Sequence, residues 1–365
     1  MGYDKNLAAE ELNISDTIVW HDVSKSPFVL YGLDGREEDF LPRRIPAGIA
    51  KTISEGVLGN SGYPAGGRIR FYTDSGKIAL KAEYGNGYHP TCASASLTYG
   101  FDLYICDAEG KEQFGHAFRP QSNEMNHQQA IYSEKEAPYG VNPANGVFYT
   151  LYLPCFSEVK KLYVGLEKGC KLEAGMPYVN EKPVIFYGSS ITHGAAASRP
   201  GNTYESFISQ KYNLNYVNLG FAGNAKGELE MAEYLANREM SAFVCDYDHN
   251  AKDAEHLKQT HYRLYEMIRK KHPNIPYVVV SKPDFWRNPP ANDMRRSVIY
   301  ATYEKAQKMG DKNVYFVDGE KFFEGDYYGS CTVDGVHPND LGFYRMAKIL
   351  GEVVADVMNL QPSGK

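Results

Sequence analysis

No stretch of this chain is apolar for long enough to cross a bilayer. The opening residues, MGYDKNLAAEEL, hold no apolar core of the kind that heads an exported chain, so no membrane partner is expected and a cytoplasmic location is, or a secreted one where a leader has been removed. Basic blocks are missing as well. The 39 Lys and Arg are outnumbered by 45 Asp and Glu, giving a net charge of −6, which argues against nucleic acid or an anionic surface as the main partner. Cysteine is sparse and scattered: Cys92, Cys106, Cys155, Cys170, Cys245 and Cys331, with no C-x-x-C and no tight His/Cys cluster. A zinc site is therefore not expected. Cys245 lies in an apolar run and reads as a buried thiol; a disulfide among the others stays open. No internal repeat is evident.

What is present is the composition of a globular protein, 43% hydrophobic and 23% charged over 365 residues, enough for two domains with their own cores. Residues 1–180 show short apolar or alternating runs: Thr17–Trp20, Arg68–Tyr72, Ile78–Ala82, Ala95–Tyr99, Asp102–Ile105, Val147–Leu153 and Lys161–Leu166. Turn residues such as Asp74-Ser75-Gly76, Asn86-Gly87 and Asn145-Gly146 separate them, and the pattern predicts an all-β, jelly-roll-like sandwich. Arg68–Tyr72 and Ile78–Ala82 read as a hairpin. Residues 47–59 read as a short helix or a loop, and the polar segment 120–143 as a surface excursion.

The pattern changes in residues 181–365. Strand-like Val184–Tyr187, Tyr216–Leu219, Ala242–Cys245, Tyr277–Val280 and Val314–Val317 alternate with helical Thr203–Tyr212, Glu228–Asn237, Ala254–Lys271, Asp293–Met309 and Leu341–Met358. Such alternation predicts an α/β domain, a five-stranded parallel sheet covered on both faces in the flavodoxin-like manner.

Four loops would then meet at the carboxyl edge of that sheet, where ligands bind in open α/β folds. They read Gly188-Ser189-Ser190, Gly220-Phe221-Ala222-Gly223, Asp246-Tyr247-Asp248-His249-Asn250 and Asp334-Gly335-Val336-His337. Together they supply what acyl transfer needs. Ser190 can be the nucleophile, His337 the base that takes and returns its proton, and Asp334 the group that orients the imidazole. The backbone N–H groups of Ser190 and Gly223 and the side-chain amide of Asn250 can receive an oxyanion. Glycine suits position 223 because backbone must approach a substrate closely. Ser189 is the alternative nucleophile. His193 reads as structural or substrate-contacting, and His249 and Trp286 as substrate contacts, with Trp286 equally able to be a hydrophobic plug. Asp246 and Asp248 read as loop hydrogen-bonders rather than metal ligands, and Arg295 and Arg296 as solvent-facing or paired along their helix. The scheme needs no metal and no cofactor.

These blocks resemble the SGNH (GDSL-type) hydrolases. Gly188-Ser189-Ser190 stands for the G-D-S motif, then follow Gly223, Asn250 and the D-x-x-H of Asp334 and His337, over residues 183–358. Two departures stand out: Ser189 replaces the usual Asp, and the Gly that precedes the Asn of the third block is missing. The D-Y-D-H-N wording, with Gly100-Phe101-Asp102-Leu103-Tyr104, resembles a branch carrying an N-terminal β-domain with a G-x-D-L-Y signature. The resemblance implies a serine esterase working through an acyl-enzyme, with register favouring Ser190. It also implies a small-molecule or oligosaccharide ester as substrate, an acetyl group as the acyl part, and a homo-oligomer. The 29 tyrosines accord with a sugar surface and equally with an ordinary β-domain. An acyltransferase with the same triad, a lipase or thioesterase, and a non-catalytic sugar-binding protein remain open.

Overall fold

The computed structural model describes residues 14–37, 40–120, 129–136, 145–283 and 285–363. Its second half contains five parallel strands, Val184–Gly188, Tyr216–Gly220, Ala242–Asp246, Tyr277–Val280 and Val314–Val317. Their order in the sheet is second, first, third, fourth, fifth. The order reverses at Val184–Gly188, so the chain leaves this inner strand at the crevice where doubly wound sheets place ligands.

Strand periodicity divides the core. Val184, Phe186, Val244, Val278 and Val280 face one layer with Tyr204, Ile208, Phe343 and Leu350. Ile185, Tyr187, Phe243, Cys245, Tyr277 and Val279 face the other with Met231, Leu235, Leu257 and Leu264. Every residue of the first three strands is buried, which is why they read as continuous apolar runs rather than alternating ones. The helices Ala254–Lys271, with Asp253 as cap, and Asp340–Met358, capped by Asn339, cover opposite faces.

Besides the two-stranded pair of Gly35–Glu37 and Phe40–Arg43, the first half forms two larger antiparallel sheets. One runs Ile18–Asp22, Ser157–Glu167, Lys77–Gly87, Gln129–Glu136; the other Leu172–Ala174, Arg68–Thr73, Val147–Tyr152, Phe101–Cys106, Glu112–Phe118. Val29–Tyr31 also pairs with Arg68–Thr73. Ile69, Phe71, Leu103, Tyr149 and Leu151 from one sheet meet Leu80, Ala82, Leu162 and Val164 from the other.

Several expectations are corrected. Arg68–Thr73 and Lys77–Gly87 lie in different sheets and form no hairpin. Their link is tied elsewhere, with the Gly76 N–H donating to Glu167 Oε2 at 2.9 Å and Ser75 Oγ to Lys77 O at 2.6 Å, so the chain crosses between sheets. Ala95–Tyr99 is a short helix, because Ser94 caps it by accepting from Leu97 N and Gly100 stops it. Residues 47–61 form two helices, Ala47–Ile53 and Glu55–Ser61, which add Ala50 and Val57 to the second core layer of the parallel sheet. Within 120–143, Gln129–Glu136 is a strand on Lys77–Gly87, and the rest of that segment lies mostly outside the described residues.

Charged anchors join the halves. Arg68 is fully buried and donates to Asn215 Oδ1 (3.1 Å) and Tyr216 O (3.0 Å). Arg70, equally buried, donates to Glu112 Oε1 and Asn213 Oδ1, each at 2.9 Å. A buried guanidinium is tolerated only when so many acceptors surround it.

Candidate active site

The strand Val184–Gly188 ends in glycine because nothing larger fits. A Cβ at Gly188 would run into Thr192 Oγ1 and Asp246 O, and one at Gly220 into the backbone of Thr192 and His193. That closeness lets a one-turn helix, Ser190–His193, sit on the sheet edge, stopped by Gly194 at φ +99°. Ser189 is fully buried and caps the helix, its Oγ accepting from Ile191 N at 3.1 Å. Asp and Ser are both good N-caps, so Ser189 can replace the usual Asp with the turn intact. Ser190 occupies the first helical position, where an N–H has no acceptor within the helix.

Ser190 Oγ lies 3.0 Å from His337 Nε2, and His337 Nδ1 lies 2.7 Å from Asp334 Oδ2. The short D-x-x-H spacing works because the loop folds back on itself. Asp334 Oδ1 accepts from Val336 N (2.9 Å) and His337 N (2.8 Å), and Val333 N donates to His337 O at 3.0 Å. Partial burial pushes the Asp334 carboxyl up, but the hydrogen bonds from the His337 ring and from these backbone N–H groups outweigh it and hold it below the usual carboxylate range. With Nδ1–H donated to that carboxylate, Nε2 is left to face Ser190 as an acceptor. The pair opens to solvent: the side chain of Asp334 is 42% exposed and that of His337 24%.

The expected oxyanion donors rest on one interlocked floor. Phe221 N donates to Gly188 O (2.9 Å), and Asn250 Nδ2 donates to Phe221 O (2.9 Å), which ties the loops carrying Gly223 and Asn250 and leaves the amide its second N–H. Gly223 is left-handed at φ +72°, a conformation that favours glycine, and no protein atom crowds the place where a Cβ would point. His193 is fully buried, with Nε2 donating to Cys155 O at 2.7 Å and its ring stacked on Phe156 at 4.3 Å. Burial and neighbouring Arg44 push its pKa well down, so it is a structural, neutral histidine.

His249 lies in the single-turn segment Asp248–Asn250, beside Asn250. Trp286 packs on Phe323 (5.7 Å) and Tyr328 (5.8 Å), lining a depression of about 280 Å³ with Glu320 and Lys321. The next residue, Arg287, donates from Nη1 to Asp334 O at 3.1 Å, so this aromatic cluster adjoins the Asp334 loop. Asp246 accepts from Thr192 Oγ1 (3.3 Å) and Tyr204 OH (3.2 Å); burial pushes its carboxyl up to about 8. Asp248 accepts from Lys282 N (3.1 Å).

Three supports were not legible. Arg295 reaches off its helix, Nε donating to Asp248 Oδ1 at 2.7 Å and Nη2 to Ala251 O at 2.9 Å, so it braces the Asn250 turn instead of facing solvent or pairing along the helix. Arg296 likewise pairs with Asp318 beyond its helix. Arg44, fully buried, donates to Gly220 O (2.5 Å) and Asn60 O (2.6 Å) beneath the Gly223 loop; burial pulls its pKa down to about 9. Nothing along the chain marks these arginines, since their partners are loop carbonyls and carboxylates distant in sequence.

Residues 181–355 match the GDSL-like lipase/acylhydrolase family. Residues 18–172 match the N-terminal portion of SGNH-hydrolase-type esterases, the G-x-D-L-Y unit. The chain belongs to the GDSL-like, SGNH-type hydrolases. Among solved structures it is similar to a protein described as a GDSL-like lipase from Bacteroides ovatus, at 28% identity and TM-score 0.82, over 95% of this chain and 100% of that one. It shares its fold with a salicylyl-acyltransferase of a tetracycline biosynthetic pathway (19% identity, TM-score 0.74, 94% and 98% covered). The same holds for an acetyl xylan esterase from the rumen bacterium Butyrivibrio proteoclasticus (15%, TM-score 0.54, 94% and 99%). No curated protein matches the chain. Among the described residues no helix is long and apolar enough to cross a membrane.

The structure also accounts for the G-x-D-L-Y signature in this SGNH-type chain. Asp102 is buried, and its Oδ2 accepts from Arg199 Nη1 (2.9 Å) and Gly201 N (2.8 Å), while Arg199 also donates to Tyr104 OH at 2.8 Å. The segment so held, residues 198–202, is bound on its other side by Asp340, which accepts from Ser198 N (2.8 Å) and Asn202 Nδ2 (2.8 Å). Asp340 opens the helix that follows His337.

Proposed function

We propose that this hydrolase removes a short acyl group, acetyl in the first instance, from a hydroxyl of a carbohydrate. The observation that carries the mechanism is the Ser190–His337–Asp334 relay, 3.0 and 2.7 Å long, at the carboxyl edge of the sheet. Ser190 Oγ attacks the ester carbonyl while its proton passes to His337 Nε2, and Asp334 holds the imidazolium so formed. The carbonyl oxygen becomes an oxyanion received by Ser190 N–H, Gly223 N–H and Asn250 Nδ2. The tetrahedral species collapses, the alcohol leaves with the proton from His337, and an acyl-enzyme remains. Water then gives its proton to His337, attacks the acyl carbonyl, and releases the acid with Ser190 restored.

The solvent-open His337 and Asp334 favour a substrate whose alcohol part stays polar and outside. The cluster of Trp286, Phe323 and Tyr328 beside the Asp334 loop supports a sugar face stacking there. The carbohydrate esterases of the same fold agree with this reading. Acetate release from 4-nitrophenyl acetate and from acetylated oligosaccharides tests it, with and without an added sugar acceptor. Ser190→Ala is expected to lower turnover by about 10⁴-fold or more. Full activity in Ser190→Ala removes the mechanism. Acyl transfer to the acceptor in preference to water replaces hydrolysis with transfer.

A further inference from the structure

The loop Tyr88–Ser94 comes from the first half of the chain, yet it lies against the Asp334 loop. Cys92 Sγ, a ring nitrogen of His337 and a carboxylate oxygen of Asp334 fall within 4.8 Å of one another. Cys92 is far in sequence from Asp334 and His337, so no cluster is visible until the halves pack. Cys92 is an unbridged, half-buried cysteine, and its loop is held: Ala93 N donates to Pro90 O (2.9 Å), Ser94 Oγ to Ser198 O (2.6 Å), and His89 Nδ1 sits 2.9 Å from Thr98 Oγ1. The loop that carries Cys92 is therefore positioned by the fold, and Cys92 packs against the core layer of Val184 and Phe186.

We propose that Cys92, His337 and Asp334 form an inhibitory site for a thiophilic divalent ion such as Zn²⁺. Sulfur, nitrogen and carboxylate oxygen are zinc's own donor set, and three protein ligands leave the fourth tetrahedral position to water. Zinc bonds of about 2.0–2.3 Å place tetrahedral donors roughly 3.3–3.6 Å apart, within reach of small side-chain rotations from the present spacing. Mg²⁺ and Ca²⁺ prefer all-oxygen sites and are excluded by the thiolate.

Inhibition follows from proton balance. The Cys92 thiol releases its proton to solvent and the imidazole keeps its single one. With the ion on Nδ1, that proton moves to Nε2, which then donates toward Ser190 Oγ. With the ion on Nε2, the lone pair facing Ser190 is occupied outright. Either way His337 no longer accepts the serine proton. The binding is independent of the ester reading; the inhibition rests on it.

Two measurements on the full chain test this. Co²⁺ added to the wild type should give a thiolate-to-cobalt charge-transfer absorption in the near ultraviolet, and Cys92→Ser should abolish it although five other cysteines remain. Zn²⁺ should inhibit 4-nitrophenyl acetate hydrolysis, with chelator restoring activity, and Cys92→Ser should raise the half-inhibiting concentration by roughly 10–100-fold. No cobalt–thiolate band in the wild type, an unchanged band in Cys92→Ser, or equal zinc sensitivity of the two proteins overturns the site. A Cys92-dependent band in a chain that hydrolyses no ester would sustain the metal site and overturn the ester reading, and the inhibition with it.

Discussion

Adjacent serines with opposite fates show how much one position decides. Ser189 is buried and spends its hydroxyl on a cap, whereas Ser190 turns its hydroxyl to His337. Ser189→Ala should therefore cost about 1 kcal/mol of stability and lower turnover far less than Ser190→Ala; a Ser189→Ala enzyme as dead as Ser190→Ala would exchange their roles. Buried Asp246 offers a second test. Its carboxyl holds a proton up to about pH 8, whereas unfolding lets it ionise from its ordinary value of 3.8 upward. Unfolding thus releases a proton between those limits, and this group's contribution to stability falls as pH rises through them. Asp246→Asn has no proton to release, so its melting temperature should gain on the wild type between about pH 5 and pH 8; a constant gap would contradict the assignment. The relay was legible because Ser190 directly follows a strand run and Asp334 and His337 stand just before the last helix. Cys92, Arg44 and Arg295 were not, because each acts through contacts that only the folded chain creates.

Short elements are held by parts that do not adjoin them in sequence. The Asp248–Asn250 turn depends on Arg295 of the helix Pro289–Lys308. Removing that brace with Arg295→Ala should lower kcat with little change in KM, because an oxyanion donor works in the transition state rather than on bound substrate. The loss should stay below the roughly 10²–10³-fold cost of deleting such a donor outright. A rise in KM with kcat unchanged would give Arg295 a binding role instead. The same helix shows where pattern reading slips. The sequence signal starts it at Asp293, but it begins at Pro289, since proline in a first turn sacrifices only N–H groups that had no helical partner. Ala95–Tyr99 slipped the other way: its small residues alternate like a strand, and the cap at Ser94 decides for helix.

Taken whole, the molecule shares both core layers of its parallel sheet between its halves, Ile45, Ala50 and Val57 joining the layer of Ile185 and Tyr187. Ala65, Leu97, Cys155 and Phe156 from the first half pack with Val184, Phe186, Tyr204 and Tyr216 of the parallel-sheet unit. Together with buried Arg44, Arg68 and Arg70, this predicts a single cooperative transition in calorimetry, with calorimetric and van't Hoff enthalpies in agreement. Two separated transitions would mean that the halves fold independently. The change of pattern near residue 180 marks where strand order and sheet type change; it carries no trace of the packing across that point, because apolar contacts between distant segments have no local periodicity.

The clasp at residues 198–202 has a bearing on recombination. Asp102 grips it from the β side and Asp340 from the helix behind His337, with Arg199 between. A chimera that borrows the first half from a relative inherits one jaw and must find the other already in place. Exchanges at the visible seam near residue 180 should succeed only between parents that carry matching partners for Arg199, so the two halves are expected to travel through descent as a pair.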